Sequence, residues 1–298
     1  MTAGLQRPRR RLGWRDALGI ALWVSGVALL SGRCPVATAQ PAPRSGARQG
    51  EAYTFSLKFL GSVDAGRARL AVSPLTVGPS GPQIHIVAEA EATGFAKALT
   101  GLHEDYRLVL DGTTWLPRRM QLIESGLRTR TAILDITERR IEAYAKQLNG
   151  EKRWSGVLPS PPLDPISVLL LLRAVRLHDG DKMTLVVMDG TAFYQGTMEV
   201  LGREEVTTAV TSGPLSGTQR AIKVLCRGER ISENGVKLNR PPRSATLWIS
   251  DNTARLPLRV EGETELGKAE FALTSYESAR RPLAPPKQLV GLVEQLAP

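Results

Sequence analysis

Leu163-Asp164-Pro165-Ile166-Ser167-Val168-Leu169-Leu170-Leu171-Leu172-Arg173 reads as a helix in a chain whose other segments read mostly as β-strand. Asp164 has the side chain to cap the first turn, and Pro165 suits the first helical position, where no backbone N–H is needed. The leucine run lacks the strict alternation of a half-buried strand, and Arg173 and Arg176 fall where cations favour a helix C-terminus. A surface of Ile, Val and Leu nearly all round requires burial, against sheet on at least two sides. Leu169, Leu170 and Leu172 are therefore expected to pack against β structure from both directions. They are also the candidate ligand-binding residues if the helix lines a cavity.

On the amino-terminal side, Tyr53, Phe55, Leu57 and Phe59 alternate with polar positions, and Ile84, Ile86 and Ala88 do the same. Gly61 to Gly66 reads as a turn, Pro74 to Pro82 as a loop, and Gly94 to Gly101 as a short helix or a loop. Asp111-Gly112 is a hairpin signal. Asn149-Gly150 marks a further turn. On the carboxyl-terminal side, His178-Asp179-Gly180-Asp181 turns into Met183 to Val187, and Asp189-Gly190 starts another hairpin. Phe193 to Leu201, Glu205 to Val210, Gln219 to Arg227, Ser244 to Ser250, Leu256 to Glu263 and Lys268 to Tyr276 complete the strands.

The two sides resemble each other. Asp111-Gly-Thr-Thr-Trp-Leu-Pro117 recurs as Asp251-Asn-Thr-Ala-Arg-Leu-Pro257, and Gly50-Glu-Ala-Tyr-Thr54 recurs as Gly180-Asp-Lys-Met-Thr184, with Gly66 mapping onto Gly196. The physical reading is a tight turn whose Asp bonds its own backbone, followed by a Pro opening a strand where no ladder N–H is needed. The expected fold class is mainly β: a curved antiparallel sheet, or an open barrel-like sandwich, of two pseudo-repeated halves with one central buried helix. The domain expectation is one β domain over 51–277, with halves 51–155 and 178–277 joined by a helix at 164–176. A Pro-rich link and short amphipathic helix are expected over 278–298. Gly66, Asp111, Pro117, Asp164, Pro165, Gly180, Asp251 and Pro257 are expected to serve as structural turn and cap residues.

The first 39 residues read as a signal peptide: Arg7, Arg9, Arg10, Arg11 and Arg15, an apolar Ala17–Leu30, and Ala37-Thr38-Ala39 as the cleavage pattern. A membrane helix needs roughly 20 apolar residues, more than this stretch has. Arg33 before Cys34 argues against lipidation, and residues 40–50 read as a flexible leader. Cleavage leaves Cys226 as the one cysteine, in an apolar strand, where a packed thiol is expected. The formal charge is +10, and the leader's six Arg and one Asp carry half of that excess. With aromatic residues at 5% and no basic stripe, a nucleic-acid partner is not expected.

The set Gly50-Glu51, Ala65-Gly66, Asp111 with Pro117-Arg118, Asp164-Pro165-Ile166-Ser167, Gly180-Asp181, and Trp248-Ile249-Ser250-Asp251 with Arg255-Leu256-Pro257 resembles the bacterial envelope family catalogued as domain of unknown function 3108. The resemblance spans about 50–276. It implies a β protein of the periplasm or cell surface, and brings no agreed activity and no catalytic residues.

The residues name no chemistry of their own. His85, His103 and His178 show no metal-ligand spacing, and no nucleophile elbow, phosphate loop or dinucleotide fingerprint is present. No metal, cofactor or catalytic residue is expected. Asp179 and Asp181 lack the further acids of a calcium loop.

Two readings of different class follow. One is an exported, non-catalytic envelope protein, periplasmic or extracellular, that binds a lipid-like apolar or amphipathic ligand, a lipoprotein or an envelope partner on a curved sheet. The other is a cell-wall or polysaccharide hydrolase using carboxylates brought together by folding. A dry apolar cavity around the helix favours the first, and facing carboxylates in an open cleft favour the second. An outer-membrane barrel fits poorly with the Pro-rich loops and the central helix, and no transmembrane span is expected after signal cleavage.

Overall fold

The computed structural model describes residues 47–59, 63–79, 81–126, 129–264, 267–277 and 281–283. The expected signal peptide and carboxyl-terminal helix lie outside them. Strands β1 (Ala47–Gln49), β2 (Ala52–Phe59), β3 (Val63–Val72), β4 (Thr76–Gly78) and β5 (Gly81–Ala92) precede helix α1 (Gly94–Thr100). Then come β6 (His103–Asp111), β7 (Pro117–Ser125), β8 (Arg130–Thr137), β9 (Arg140–Gln147) and β10 (Gly150–Val157). The short β11 (Pro162–Leu163) leads into α2 (Pro165–Ala174). After it run β12 (Lys182–Asp189), β13 (Ala192–Thr207), β14 (Thr218–Ile231), β15 (Arg243–Ser250), β16 (Pro257–Thr264), β17 (Gly267–Glu277) and β18 (Arg281–Leu283).

Period-two alternation makes the sheet. Tyr53, Phe55, Leu57 and Phe59 are buried while their neighbours are not, and Ile84 and Ile86 are fully buried on either side of a half-buried His85. Sixteen strands form one curved, unclosed sheet in the order β10-β9-β8-β7-β6-β5-β3-β2-β17-β16-β15-β14-β13-β12-β11, with β4 beside β5. Two antiparallel meanders are joined where β2, the first long strand of one half, pairs with β17, the last long strand of the other. Among the described residues no ladder joins the far ends, and the sheet is unclosed there. Across that seam Val157 N–H donates to Asn234 Oδ1 (3.4 Å) and Arg130 donates to Thr191 Oγ1 (3.2 Å).

Helix α2 forms as its sequence dictates. The Asp164 carboxylate accepts from the N–H groups of Ile166 (2.9 Å) and Ser167 (3.3 Å), and Pro165 sits at the start. Leu170, Leu171 and Leu172 are buried, at 3% exposure or less.

Several details depart from expectation. Residues 47–49, read as part of a flexible leader, form β1 against β18. The Pro74–Pro82 loop contains β4. Gly66 lies inside β3 rather than in a turn, where a Cβ would collide with the Glu91 carbonyl. The two short strands expected between Phe193 and Val210 are one long β13, carried past Gly202 (φ 137°) by a register shift after Val200.

The repeated turn is present with one change. Trp115 (φ 59°) and Arg255 (φ 50°) adopt the same left-handed conformation, and Pro117 and Pro257 each open a strand beside a register shift. In the first copy Asp111 Oδ1 accepts from Thr113 and Thr114 N–H, both at 2.7 Å. In the second, Asn252 Oδ1 takes that place, accepting from Ala254 (3.0 Å) and Arg255 (3.3 Å). The closing backbone bond runs from Asp111 to Leu116 in one copy and from Ser250 to Leu256 in the other, so the second turn is one residue longer. Asp251 is thereby displaced from the turn role and sits 3.3 Å from Arg203 and 3.4 Å from Arg220.

Candidate functional site

Two polar-to-apolar junctions lie at the ends of α2. At its C-terminal end, Arg173 does not serve the helix dipole in solvent. It is 2% exposed and forms a two-pronged pair with Glu51, which is 0% exposed, through Nη1–Oε2 and Nη2–Oε1 at 2.9 Å each. Nε donates to the Ala254 carbonyl (3.2 Å), and Nη1 also reaches the Tyr53 hydroxyl. Tyr53 and Tyr276 donate their hydroxyls to Glu51 at 2.8 and 2.7 Å. Burial pushes the Glu51 carboxyl up, but Arg173 and the two tyrosines outweigh it and hold the group below the usual carboxylate range. Glu51 and Tyr53 come from one half, Ala254 and Tyr276 from the other, and Arg173 from the helix between them. With its donors and acceptors engaged on one another, this centre binds the fold together rather than offering a reactive group.

At the N-terminal end of α2 is a cavity of about 160 Å³, walled by Phe55, Leu70, Ile166, Leu169, Val260 and Phe271. Its origin is legible on β5. The inward positions run Ile84, Ile86 and then Ala88, Ala90, so the small side chains leave space where the isoleucines fill it. Ala68 on β3 adds to that space. Ala68, Ala88, Ala90 and Leu169 are only half-buried, so the inner face is reachable there.

One wall of the cavity is polar, and Arg69 and Glu89, at the positions next to Ala68 and between Ala88 and Ala90, also border it. On β6 the inward positions are Glu104, Tyr106, Leu108 and Leu110, and the first two reach the cavity together with Asp189 from the end of β12. Glu104 stands directly across the ladder from Glu124 on β7. Burial, then Asp189 and Glu124, push the Glu104 carboxyl up to about 8, while Arg130 draws it down. Among the described residues no hydrogen bond or ion pair reaches this carboxyl. The Tyr106 hydroxyl is buried near Asp164, short of hydrogen-bond geometry, and burial raises it well above its ordinary value. These acids do not converge closely enough to hold a metal ion.

The family model described as "Protein of unknown function (DUF3108)" matches residues 53–274. The chain belongs to that family. No curated protein matches it. Among solved structures, the DUF3108 chain is similar to a β-barrel-like protein of domain of unknown function DUF1849 from Brucella abortus, with TM-score 0.50, 9% identity, and 78% of this chain and 99% of that one covered. That likeness is one of fold. A candidate lipoprotein from Parabacteroides distasonis (11% identity, TM-score 0.35, 80% and 100% covered) and a candidate exported protein with a YmcC-like fold from Bacteroides fragilis (9%, 0.35, 80% and 100%) are more distant.

Within this DUF3108 fold, the residues singled out from sequence separate into distinct places. Leu169 lines the cavity, whereas Leu170 and Leu172 are buried in the core. Asp164 is a fully buried cap whose carboxyl burial pushes up, against hydrogen bonds from Ser167 and the backbone. Gly180 (φ 86°) is in a turn, and Asp111 pairs with Arg118 as well as its own loop. The Cys226 thiol is buried and pushed up to about 12 by burial. Glu51, Arg173, Glu104 and Tyr106 were not singled out as site residues. The last two carried a signal, an inward Glu and Tyr on a strand facing an alanine run. Among the described residues, no helix is long and apolar enough to cross a membrane.

Proposed function

We propose that this protein is an exported, non-catalytic component of the bacterial envelope that holds an apolar or amphipathic ligand in the cavity between α2 and the inner face of the sheet. The observation that carries this reading is the alanine-walled space of about 160 Å³ beside Leu169, on the inner face of the sheet. The apolar part of a cavity of about this size can take a benzene-sized group, and filling it recovers contacts the walls otherwise lack. The signal-like leader supports a periplasmic or extracellular location and release at Ala39. The hydrolase reading retains the Glu104–Asp189 carboxylates, but they face a small space between Phe55 and Phe271, whereas a polymer substrate requires a long open cleft.

The test is a pair of measurements on the exported chain. Native mass spectrometry of protein purified from its own envelope should reveal a bound amphiphile, and Leu169→Trp, which fills the cavity, should abolish its retention. A chain that carries nothing, and that takes up no alkyl probe at millimolar concentration, would refute ligand binding and leave partner docking as the function.

A further inference from the structure

We propose that a second cavity, set in the open seam of the sheet, binds the neutral pyranose end of a glycan chain, with Trp154 as the platform under the sugar ring. This cavity measures about 400 Å³ and shares no lining residue with the space beside Leu169, and its occupant does not depend on an amphiphile there. Pockets that hold small ligands run from about 300 to 1,000 Å³. The strand pairing places its two walls. One is the inner face of the β9–β10 hairpin, where Trp154 stands across the ladder from the buried Ala143, and Lys152 from the buried Ala145. The other is the start of β13 and the end of β14 with the loop that follows it, which contribute Phe193, Ile231 and Leu238.

The loop is fixed against the hairpin. Gly156 on β10 lies so close to it that a Cβ there would collide with the Glu233 carbonyl, and Val157 N–H donates to Asn234 Oδ1 (3.4 Å). Within the loop, Ser232 Oγ accepts from the N–H groups of Asn234 (3.2 Å) and Val236 (3.1 Å). The two halves of the chain thus hold a preformed cleft between them, which spares a ligand the cost of ordering its walls.

The lining is mixed in the way a sugar requires. A pyranose has an apolar C–H face and a rim of hydroxyls, so it needs an aromatic surface on one side and donors and acceptors around the rest. Trp115 and Trp248 are buried in the core, whereas Trp154 is the tryptophan that is left part-exposed among the described residues, on a terminal strand at the cleft. Lys152 Nζ lies 5.5 Å from its ring centroid, which sets an ammonium donor beside the indole. Gln147, Asn149, Arg230 and Glu233 add planar polar groups, each able to span two neighbouring hydroxyls. The charged lining residues balance, Lys152 and Arg230 against Glu151 and Glu233, which favours a neutral ligand over an ionic one. An alkyl chain would desolvate these polar groups without bonding them. An extended peptide would pair along the outer edge of β10, where Asn234 already engages Val157.

The experiment titrates the exported chain, residues 40–298, with maltotriose, cellotriose and triacetylchitotriose, and with trialanine as the peptide control, read by saturation-transfer NMR and tryptophan fluorescence. At least one trisaccharide should bind with a millimolar or tighter Kd. Trp154→Ala should weaken it about 10-fold or more, and Trp154→Phe, which keeps an aromatic face, should retain most of the affinity. Glu233→Ala should lower affinity in the same direction, and carries the test should Trp154→Ala fold poorly. Leu169→Trp, which fills the other cavity, should leave trisaccharide binding unchanged. Failure of all three trisaccharides to bind, binding that survives both Trp154→Ala and Glu233→Ala, or binding lost in Leu169→Trp overturns the proposal. Trialanine binding as tightly as the best trisaccharide overturns the glycan assignment and makes the cleft a peptide site.

Discussion

The hairpins β2–β3 and β12–β13 open with the same backbone device and then do different things with it. Gly50 (φ 78°) donates its N–H to Val72 (2.8 Å) and Glu51 accepts from Val72 (2.9 Å); Gly180 (φ 86°) donates to Val200 (2.8 Å) and Asp181 accepts from Val200 (2.9 Å). The glycine is needed in both, since a left-handed φ is strained for other residues. The acid beside it then diverges. Glu51 is sealed inside with Arg173, whereas the Asp181 side chain is 40% exposed, accepting from His178 N–H (2.6 Å) and lying 3.3 Å from His178 Nδ1. The repeat duplicates a turn, and position relative to α2 decides which copy becomes part of the core. Only the Glu51 carboxylate meets the end of the helix.

That contrast is most exposed to a pair of substitutions. Arg173→Met alone leaves a buried carboxylate without its cation and should cost about 3–5 kcal/mol in urea unfolding, with Glu51→Leu added to it recovering much of the loss. Asp181→Asn should change stability by under about 1 kcal/mol, because its partner is solvent-screened. Equal effects at the two sites would remove the distinction drawn between the hairpins.

Leu170→Ala tests whether α2 joins the halves. A buried Leu→Ala change costs about 2–5 kcal/mol, and here it should lower the midpoint of one unfolding transition. Two separate transitions would show that the halves fold independently. Smaller is the effect expected at the repeated turn. Asn252→Ala removes two hydrogen bonds to backbone and should cost about 1–2 kcal/mol, while Asp251→Ala, whose contacts are partly exposed ion pairs, should cost about 1 kcal/mol or less. The reverse order would restore Asp251 to the turn.

The titrations of Glu104 and Glu51 should act at opposite ends of the pH scale. Glu104 has a raised folded pKa, so its contribution is fully present below the ordinary carboxylate range and lost as pH rises towards about 8. Glu104→Gln should flatten chemical-denaturation stability across that window. Glu51 has a depressed one, so its contribution holds above the ordinary range and is lost as pH falls through the folded value, in acid. A Glu104→Gln profile that parallels the parent's above pH 5 would contradict the first statement.

Much of this architecture was readable from residues close together in the chain. Asp164-Pro165 announced the start of α2, alternation at Tyr53 to Phe59 announced a strand, and the spacing of Leu116-Pro117 and Leu256-Pro257 announced the repeat. What escaped reading depends on distance or on single-residue shifts. Arg173 looked like a helix-end cation because its partner Glu51 is 122 positions away. Asn252 replaced Asp251 because a turn one residue longer cannot be recognised from an ungapped match. Gly202 looked like a break between strands, and the ladder with β14 continued through it. The cavity left a fainter trace, since Ala88 and Ala90 have the right period for an inward face and only the neighbouring strands reveal that nothing fills the space they leave.

The unclosed sheet also has a bearing on how this chain coexists with copies of itself. An open sheet keeps two terminal strands whose outer backbone groups invite another chain to extend it, and at high protein concentration such stacking is a route to fibres. Both ends here carry deterrents. β10 displays Glu151, Lys152 and Arg153 in succession, and the opposite end is shielded by β11, two residues long and beginning with Pro162, which has no N–H to offer. The opening that admits α2 is thus bordered by strands ill-suited to polymerisation, and the protein keeps an accessible interior without exposing a template for aggregation.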